Sequence, residues 1–335
     1  MPSCQPLIHE TRGGVIENVR YGYIAVVDAD SRLRCAVGDP EELVFYRSAS
    51  KPIQALPVIA RGIDEKYGLT ERETAIFSGS HAGEPCHVAA LESIWRKTGL
   101  SEDMMIMRPT LPENEKARAA VLRAGGPKRK AYHNCSGKHT ALMLLQRELT
   151  GSPEGYALPD SSAQREVRRA VAALSEYPEA DVRLGVDGCG VPVFAVGIRN
   201  IAVGFKNLAC PDGIADPRLR DAAKRYIPRL HVYPEMVKGT DTLCTALNAL
   251  EGVVAKGGAG GVYGLGLERE RLGIAMKLAD GENALRPLVL GGILRQLGVA
   301  RPDILAVLDA MSRTRIVNDN GAEVGRAACA FRLER

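Results

Sequence analysis

The chain has 335 residues, enough for two ordinary domains or one large one at roughly 150 residues per domain. Its 45% hydrophobic and 25% charged content is near the average of soluble globular proteins, which excludes disorder, collagen and coiled coil. A net charge of +4 is too small to argue for nucleic acid, and 5% aromatic residues argue against platforms that stack bases or sugars.

The N-terminal stretch carries Pro6 and Glu10 and has no apolar core of the signal-peptide kind. No run of 18 apolar residues follows it. Eight cysteines with no C-x-x-C pair read as reduced thiols of a cytoplasmic protein, some of them available as metal ligands.

In chain order, Tyr23–Val27 and Leu33–Val37 flank the turn-rich Asp28-Ala29-Asp30-Ser31 and predict a β-hairpin. A helix is expected from Ser50 to Arg61, with Pro52 in its first turn, where a missing N–H is harmless, and Pro57 kinking or shortening it. Glu84–Thr98 and Lys138–Leu149 read as helices stopped by Gly99 and Gly151, and Ala163–Leu174 as a third. Val193–Ile198 and Ile201–Phe205 are expected as buried strands. Val262–Leu267 and Gly273–Leu278 form a second strand pair, and Leu285–Leu297 and Pro302–Met311 form closing helices. Strands at both ends with helices between them predict an α/β or α+β fold in which the termini share one sheet. No stretch is polar or long enough to be a clear linker, so residues 1–335 are read as one domain with two lobes.

Five segments carry polar chemistry. In Arg47-Ser48-Ala49-Ser50-Lys51 the serine and lysine stand at i and i+3, on one face of a helix, and a lysine of lowered pKa can take the proton of a serine nucleophile. The ordinary alternative is a capping serine with a solvated lysine. Ser78-Gly79-Ser80-His81 follows an apolar stretch and opens into small residues, where Ser80 suits a proton relay or a carboxylate contact. His133-Asn134-Cys135-Ser136-Gly137-Lys138-His139 and Asp187-Gly188-Cys189-Gly190 crowd thiols and polar groups beside glycines. Cys135, His133, His139, Asp187 and Cys189 are all plausible ligands for zinc, although the cysteine separation matches no zinc-finger spacing. Cys135 with a histidine is also conceivable as a protease dyad. Lys256 precedes Gly257-Gly258-Ala259-Gly260-Gly261, which lacks the G-x-x-x-x-G-K-[ST] phosphate loop. Lys238-Gly239-Thr240 offers a second lysine at a small-residue turn.

Together these segments closely resemble the L-asparaginase II family, the asparaginases of the Rhizobium type, from about Pro6 to the C-terminus. Asn134-Cys-Ser-Gly-Lys-His139 and Asp187-Gly-Cys-Gly-Val-Pro192 are the most specific marks. The resemblance implies a serine β-lactamase- and glutaminase-like fold, with a β-sheet lobe and a mainly helical lobe. It implies hydrolysis of L-asparagine to L-aspartate and ammonia in asparagine catabolism. It also implies two Ser–Lys pairs, Ser48 with Lys51 and Ser80 with Lys256, the simpler role for Ser80 being to order Lys51 or the substrate. Zinc is implied between Cys135, Lys138 and Cys189, structural or substrate-positioning rather than Lewis-acidic, and this displaces His133 or His139 as ligand. Asp187, Arg47, His133 and Asn134 are expected at the substrate, and the protein is expected as a homodimer. Glutaminase and β-lactamase activity are the enzymatic alternatives, though no clear Ser-Asp-Asn or Lys-Thr-Gly triplet is present. A non-catalytic amino-acid-binding protein is the other.

Overall fold

Strand-forming sequence is concentrated at the two ends of the chain, and the ends meet. The computed structural model describes residues 4–334. Gln5–Arg12 pairs antiparallel with Glu323–Cys329, with Ile8 opposite Cys329 and Arg12 opposite Gly325. The chain divides into two units. The first holds the residues up to Ala49, Val196–Cys210 and the residues from Gly252 on; the second holds Ser50–Ala195 and Pro211–Glu251. The expected mixed α/β class is what the structure shows.

In the first unit the described residues form an eight-stranded antiparallel sheet. Seven strands run in the order Arg315–Val317, Glu323–Cys329, Gln5–Arg12, Val15–Val27, Leu272–Leu278, Val262–Leu267 and Val253–Gly257, and Leu33–Val37 pairs with Val15–Val27. The expected hairpin is present, with Ile24 opposite Val37. So is the second strand pair, with Leu265 opposite Ile274. Both pairs bury apolar side chains, which fixes their register, because a one-residue slip would turn every one of them over.

One expected element is overturned. Val193–Ile198 matches the strand Pro192–Gly197, but Ile201–Phe205 lies inside the helix Ile198–Ala209. This helix packs on Val15–Val27, Val262–Leu267 and Leu272–Leu278, and every residue from Asn200 to Ala209 is buried. Its polar residues Arg199, Asn200, Lys206 and Asn207 recur seven apart, a helical period, but they flank the five-residue window Ile201–Phe205, which alone is apolar and reads equally as a buried strand. The sheet receives it through glycines. A Cβ at Gly264 would sit 1.9 Å from the Phe205 ring, and one at Gly273 would sit 2.0 Å from the Ala202 carbonyl oxygen.

The second unit is mostly helical. Lys51–Ala60 runs through its middle against Ser136–Thr150, Ser162–Leu174 and Pro217–Val232. Every residue from Lys51 to Ile59 is buried, and the helix continues past Pro57 to Ala60. Arg225 donates to the Ile59 carbonyl at 2.6 Å and so satisfies one of the acceptors at the helix end. Nearby, Arg229 and Asp64 form a buried ion pair at 2.9 Å. The remaining expected helices appear as Pro85–Thr98 and Ser136–Thr150, capped by Gly99 and Gly151 in the left-handed conformation, with Arg286–Leu297 and Pro302–Met311 in the first unit. All eight cysteines are free of disulfides, and no helix among the described residues is long and apolar enough to cross a membrane.

The glycine approach is testable. Gly264→Ala is expected to cost about 1–3 kcal/mol by overpacking against Phe205. It should appear as a lower urea midpoint at constant m, and Phe205→Leu in the same chain should recover part of the loss.

Candidate active site

Burying an amine costs several kcal/mol unless acceptors surround it. In the second unit Lys51 is fully buried at the head of its helix, and its Nζ donates to three oxygens: the Gly79 carbonyl at 2.6 Å, Ser80 Oγ at 3.0 Å and the Asn134 carbonyl at 3.2 Å. These account for the three hydrogens of an ammonium. Burial pushes Lys51 below the ordinary lysine range, with the Cys135 sulfur pulling the other way and Lys138 adding to the depression. The serine bonded to Lys51 is therefore Ser80.

Ser80 is placed by backbone on both sides. Its N–H donates to the Val237 carbonyl at 2.8 Å. Gly137, in the first turn of Ser136–Thr150, lets that helix approach the segment before Ser80; a Cβ there would lie 2.1 Å from the Ile76 carbonyl oxygen. His81 ties the same two segments. Gly83 N–H donates to its Nδ1 at 3.1 Å, so the ring proton sits on Nε2 and is directed to Ser136 Oγ at 2.6 Å. Burial holds His81 well below the usual imidazole range, so it stays neutral.

A second cluster begins at the same helix start. Cys135 and Cys189 are both buried. Lys138 Nζ lies 3.1 Å from Cys189 Sγ and 3.3 Å from Asp187 Oδ2. The neighbouring Cys189 thiol, opposed by burial and aided by Lys51 and Lys138, pulls Cys135 well down, while Cys135 and burial push Cys189 up. Burial opposes charge on Lys138, but Cys135, Cys189 and Asp187 outweigh it and raise its pKa. Two sulfurs, a nitrogen and a neighbouring carboxylate are a donor set that fits a borderline-soft ion such as zinc, provided that Lys138 gives up its proton.

The neighbouring residues of these two segments have partners of their own. His133 Nδ1 accepts the Cys135 N–H at 3.1 Å and so orients the thiol's backbone. His139 turns to Tyr156, its Nδ1 2.7 Å from the phenol oxygen, and is not among the thiols. Asn134 presents its carbonyl to Lys51 and its amide to Glu113 Oε1 at 2.5 Å. Glu113 in turn pairs with Lys238 at 2.9 Å. Glu84, Cys86 and His87 bring potential ligand atoms within 4.8 Å. His87 is already committed, accepting Glu84 N–H at Nδ1 and meeting the Glu235 carbonyl at Nε2, while Glu84 Oε1 accepts from Thr240 and Asn114.

In the first unit, Arg47 adopts φ +50°, a conformation that costs a non-glycine residue energy and often marks a functional turn. Ser48 is half-buried beside it on the turn Arg47–Ser50 that leads into the Lys51 helix. The glycine turn after Lys256 lies against this segment: a Cβ at Gly258 would be 2.6 Å from the Tyr46 carbonyl oxygen and 3.2 Å from Ala49 N. Lys256 itself is buried in Val253–Gly257, with its amine on the Gly257 carbonyl at 2.9 Å.

Sequence reading missed Glu113 and Tyr156. Both lie in segments without a motif, and only the fold brings them to Asn134 and His139. Tyr156→Phe is expected to cost about 1–3 kcal/mol, because it leaves buried His139 without a partner at Nδ1 and the Ile106 N–H without an acceptor. Urea denaturation would read the loss; an unchanged midpoint would contradict it.

The family model described as L-asparaginase II matches residues 8–329. None of the curated proteins matches the chain. Among solved structures, a chain called Mglu is 17% identical over 86% of this chain and 65% of its own, with a TM-score of 0.42. A beta-lactamase from Mycobacterium bovis is 14% identical over 82% of this chain and 94% of its own, with a TM-score of 0.43. A Bacillus glutaminase is 15% identical over 83% and 91%, with a TM-score of 0.38. The chain spans between 58% and 65% of the Mglu chains' length.

Proposed function

Because the chain belongs to the L-asparaginase II family, we propose that it is an amidohydrolase that converts L-asparagine to L-aspartate and ammonia through an ester on Ser48. The observation that carries this reading is the buried Lys51 amine, hydrogen-bonded to Ser80 and standing three residues after Ser48 in one continuous turn.

A serine hydroxyl attacks an amide only when a base removes its proton, and a desolvated lysine is suited to that role. Lys51 takes the proton of Ser48, and Ser48 Oγ adds to the side-chain amide carbon. Backbone N–H groups at the start of the turn stabilise the oxyanion. The departing nitrogen needs a proton before the C–N bond breaks. The bond from Lys51 to Ser80 gives that proton a path, from Ser48 through Lys51 to Ser80 and on to the leaving group. Ammonia departs, water attacks the β-aspartyl ester along the reverse path, and aspartate leaves. Lys256 is the second lysine of this reading, and Asp187 is the receptor for the substrate's amino group.

Cys135, Lys138 and Cys189 would hold zinc, with Asp187 beside them. When bound, the ion supplies a fixed positive charge that positions substrate. Asn134, through its carbonyl, keeps Lys51 oriented, and His133 holds the backbone of Cys135.

Three outcomes check the proposal. Wild type should release ammonia from L-asparagine, assayed beside L-glutamine. A folded Ser48→Ala should lose turnover to background, and Lys51→Met should lower kcat by about 10²–10⁴. A fully active Ser48→Ala would move the nucleophile to Ser80 or Cys135. Chelation should raise KM more than it lowers kcat; complete loss of turnover in folded, metal-free protein would sink the positioning role.

A further inference from the structure

Three cations of the first unit gather at the Gly258–Gly261 turn. Lys277 lies on Leu272–Leu278, opposite Tyr23 on one side and Val262 on the other. Its half-buried ammonium donates to the carbonyls of Gly260 and Leu278, the latter at 2.8 Å. Two of its three hydrogens are used, and no carboxylate among the described residues forms an ion pair with it. Arg286 donates to the Gly258 carbonyl and lies over the Tyr263 ring at 5.6 Å. Arg47 is the third cation, on its left-handed turn.

The arrangement is costly as it stands. Burial and the charges of Arg286 and Arg47 hold the Lys277 amine below the ordinary lysine range. Asp280 pulls the other way, but it is engaged by Arg20 at 2.9 Å. A cavity of about 380 Å³ opens at this point, lined by Tyr23, Phe45, Arg47 and Lys277, with Glu42 on the same wall. Lys277 and Arg47 line the cavity together with the acidic Glu42, a mixed lining that suits a single carboxylate better than a polyanion.

We propose that this cavity is a monocarboxylate subsite, in which Lys277 and Arg47 take the α-carboxylate of the amino-acid amide whose side chain is presented to Ser48, the residue after Arg47. The inference rests on the amidohydrolase reading and names the group by which its substrate is recognised. Lys277 donates its remaining N–H to the carboxylate, Arg47 adds a second charged donor, and Arg286 fixes the turn that holds Lys277 in place.

Calorimetric titration tests it directly. L-aspartate and L-isoasparagine differ only in carrying a carboxylate or an amide at the α-carbon. Wild type should bind L-aspartate at least tenfold more tightly. Lys277→Met should weaken L-aspartate binding about ten- to a hundredfold and erase that preference, while Lys277→Arg keeps most of it. Lys277→Gln serves if the methionine variant fails to fold. In turnover, Lys277→Met should raise KM for L-asparagine by a similar factor and leave the slower hydrolysis of L-aspartic acid diamide unaffected. Equal L-aspartate affinity in wild type and the uncharged variants, or no L-aspartate binding to wild type, overturns the subsite. An inactive wild type that binds L-aspartate through Lys277 sinks the amidohydrolase reading alone, whereas an active wild type indifferent to Lys277 sinks the subsite alone.

Discussion

An amine removed from water must be surrounded by oxygens, and the second unit is arranged around that constraint at Lys51. Its three acceptors come from segments far apart in sequence: Gly79, Ser80 and Asn134. Each therefore has to be held in place by something else. Val237 holds Ser80, His81 links that segment to Ser136, and Glu113 holds the Asn134 side chain. Loss of the Ser80–Val237 or the His81–Ser136 contact would leave a buried donor or acceptor unmatched, which costs more than an average hydrogen bond contributes.

The second buried lysine answers the same constraint differently. Burial among neutral oxygens lowers the Lys51 pKa, whereas sulfur and a carboxylate raise that of Lys138. Two amines close to the same thiols are thus shifted in opposite directions because their nearest partners differ in charge. Such opposed shifts are how a site sets one amine apart as a base. Strain and like-charge crowding recur in the first unit, where Arg47 is left-handed and Lys277 shares a turn with two arginines. A left-handed non-glycine residue is often found at functional turns.

The fold and the site differed in how legible they were. The hairpin at Tyr23–Val27 and the helices ending at Gly99 and Gly151 follow from local rules of alternation and capping, and they stand where those rules put them. Ile201–Phe205 failed because the five apolar residues between Asn200 and Lys206 are too short a window to separate a helix from a strand; the helical period shows only across Arg199–Asn207. The glycines at 264 and 273 were visible as residues, but their purpose, admitting Phe205 and Ala202, needs the partner helix to be known.

The sequence by itself determined the order of the elements and the residue types crowded at Arg47–Lys51, Ser78–His81, His133–His139 and Asp187–Cys189. These are short-range patterns, set by i to i+4 spacing and by turn chemistry. Tertiary structure alone decided that Lys51 is bonded to Ser80, that His139 faces Tyr156 while Lys138 faces the thiols, and that Lys277 joins Arg47 and Arg286. Each of those pairings joins two separate elements of the chain. Its partner is selected by packing of whole helices and strands, which no local run of residues encodes.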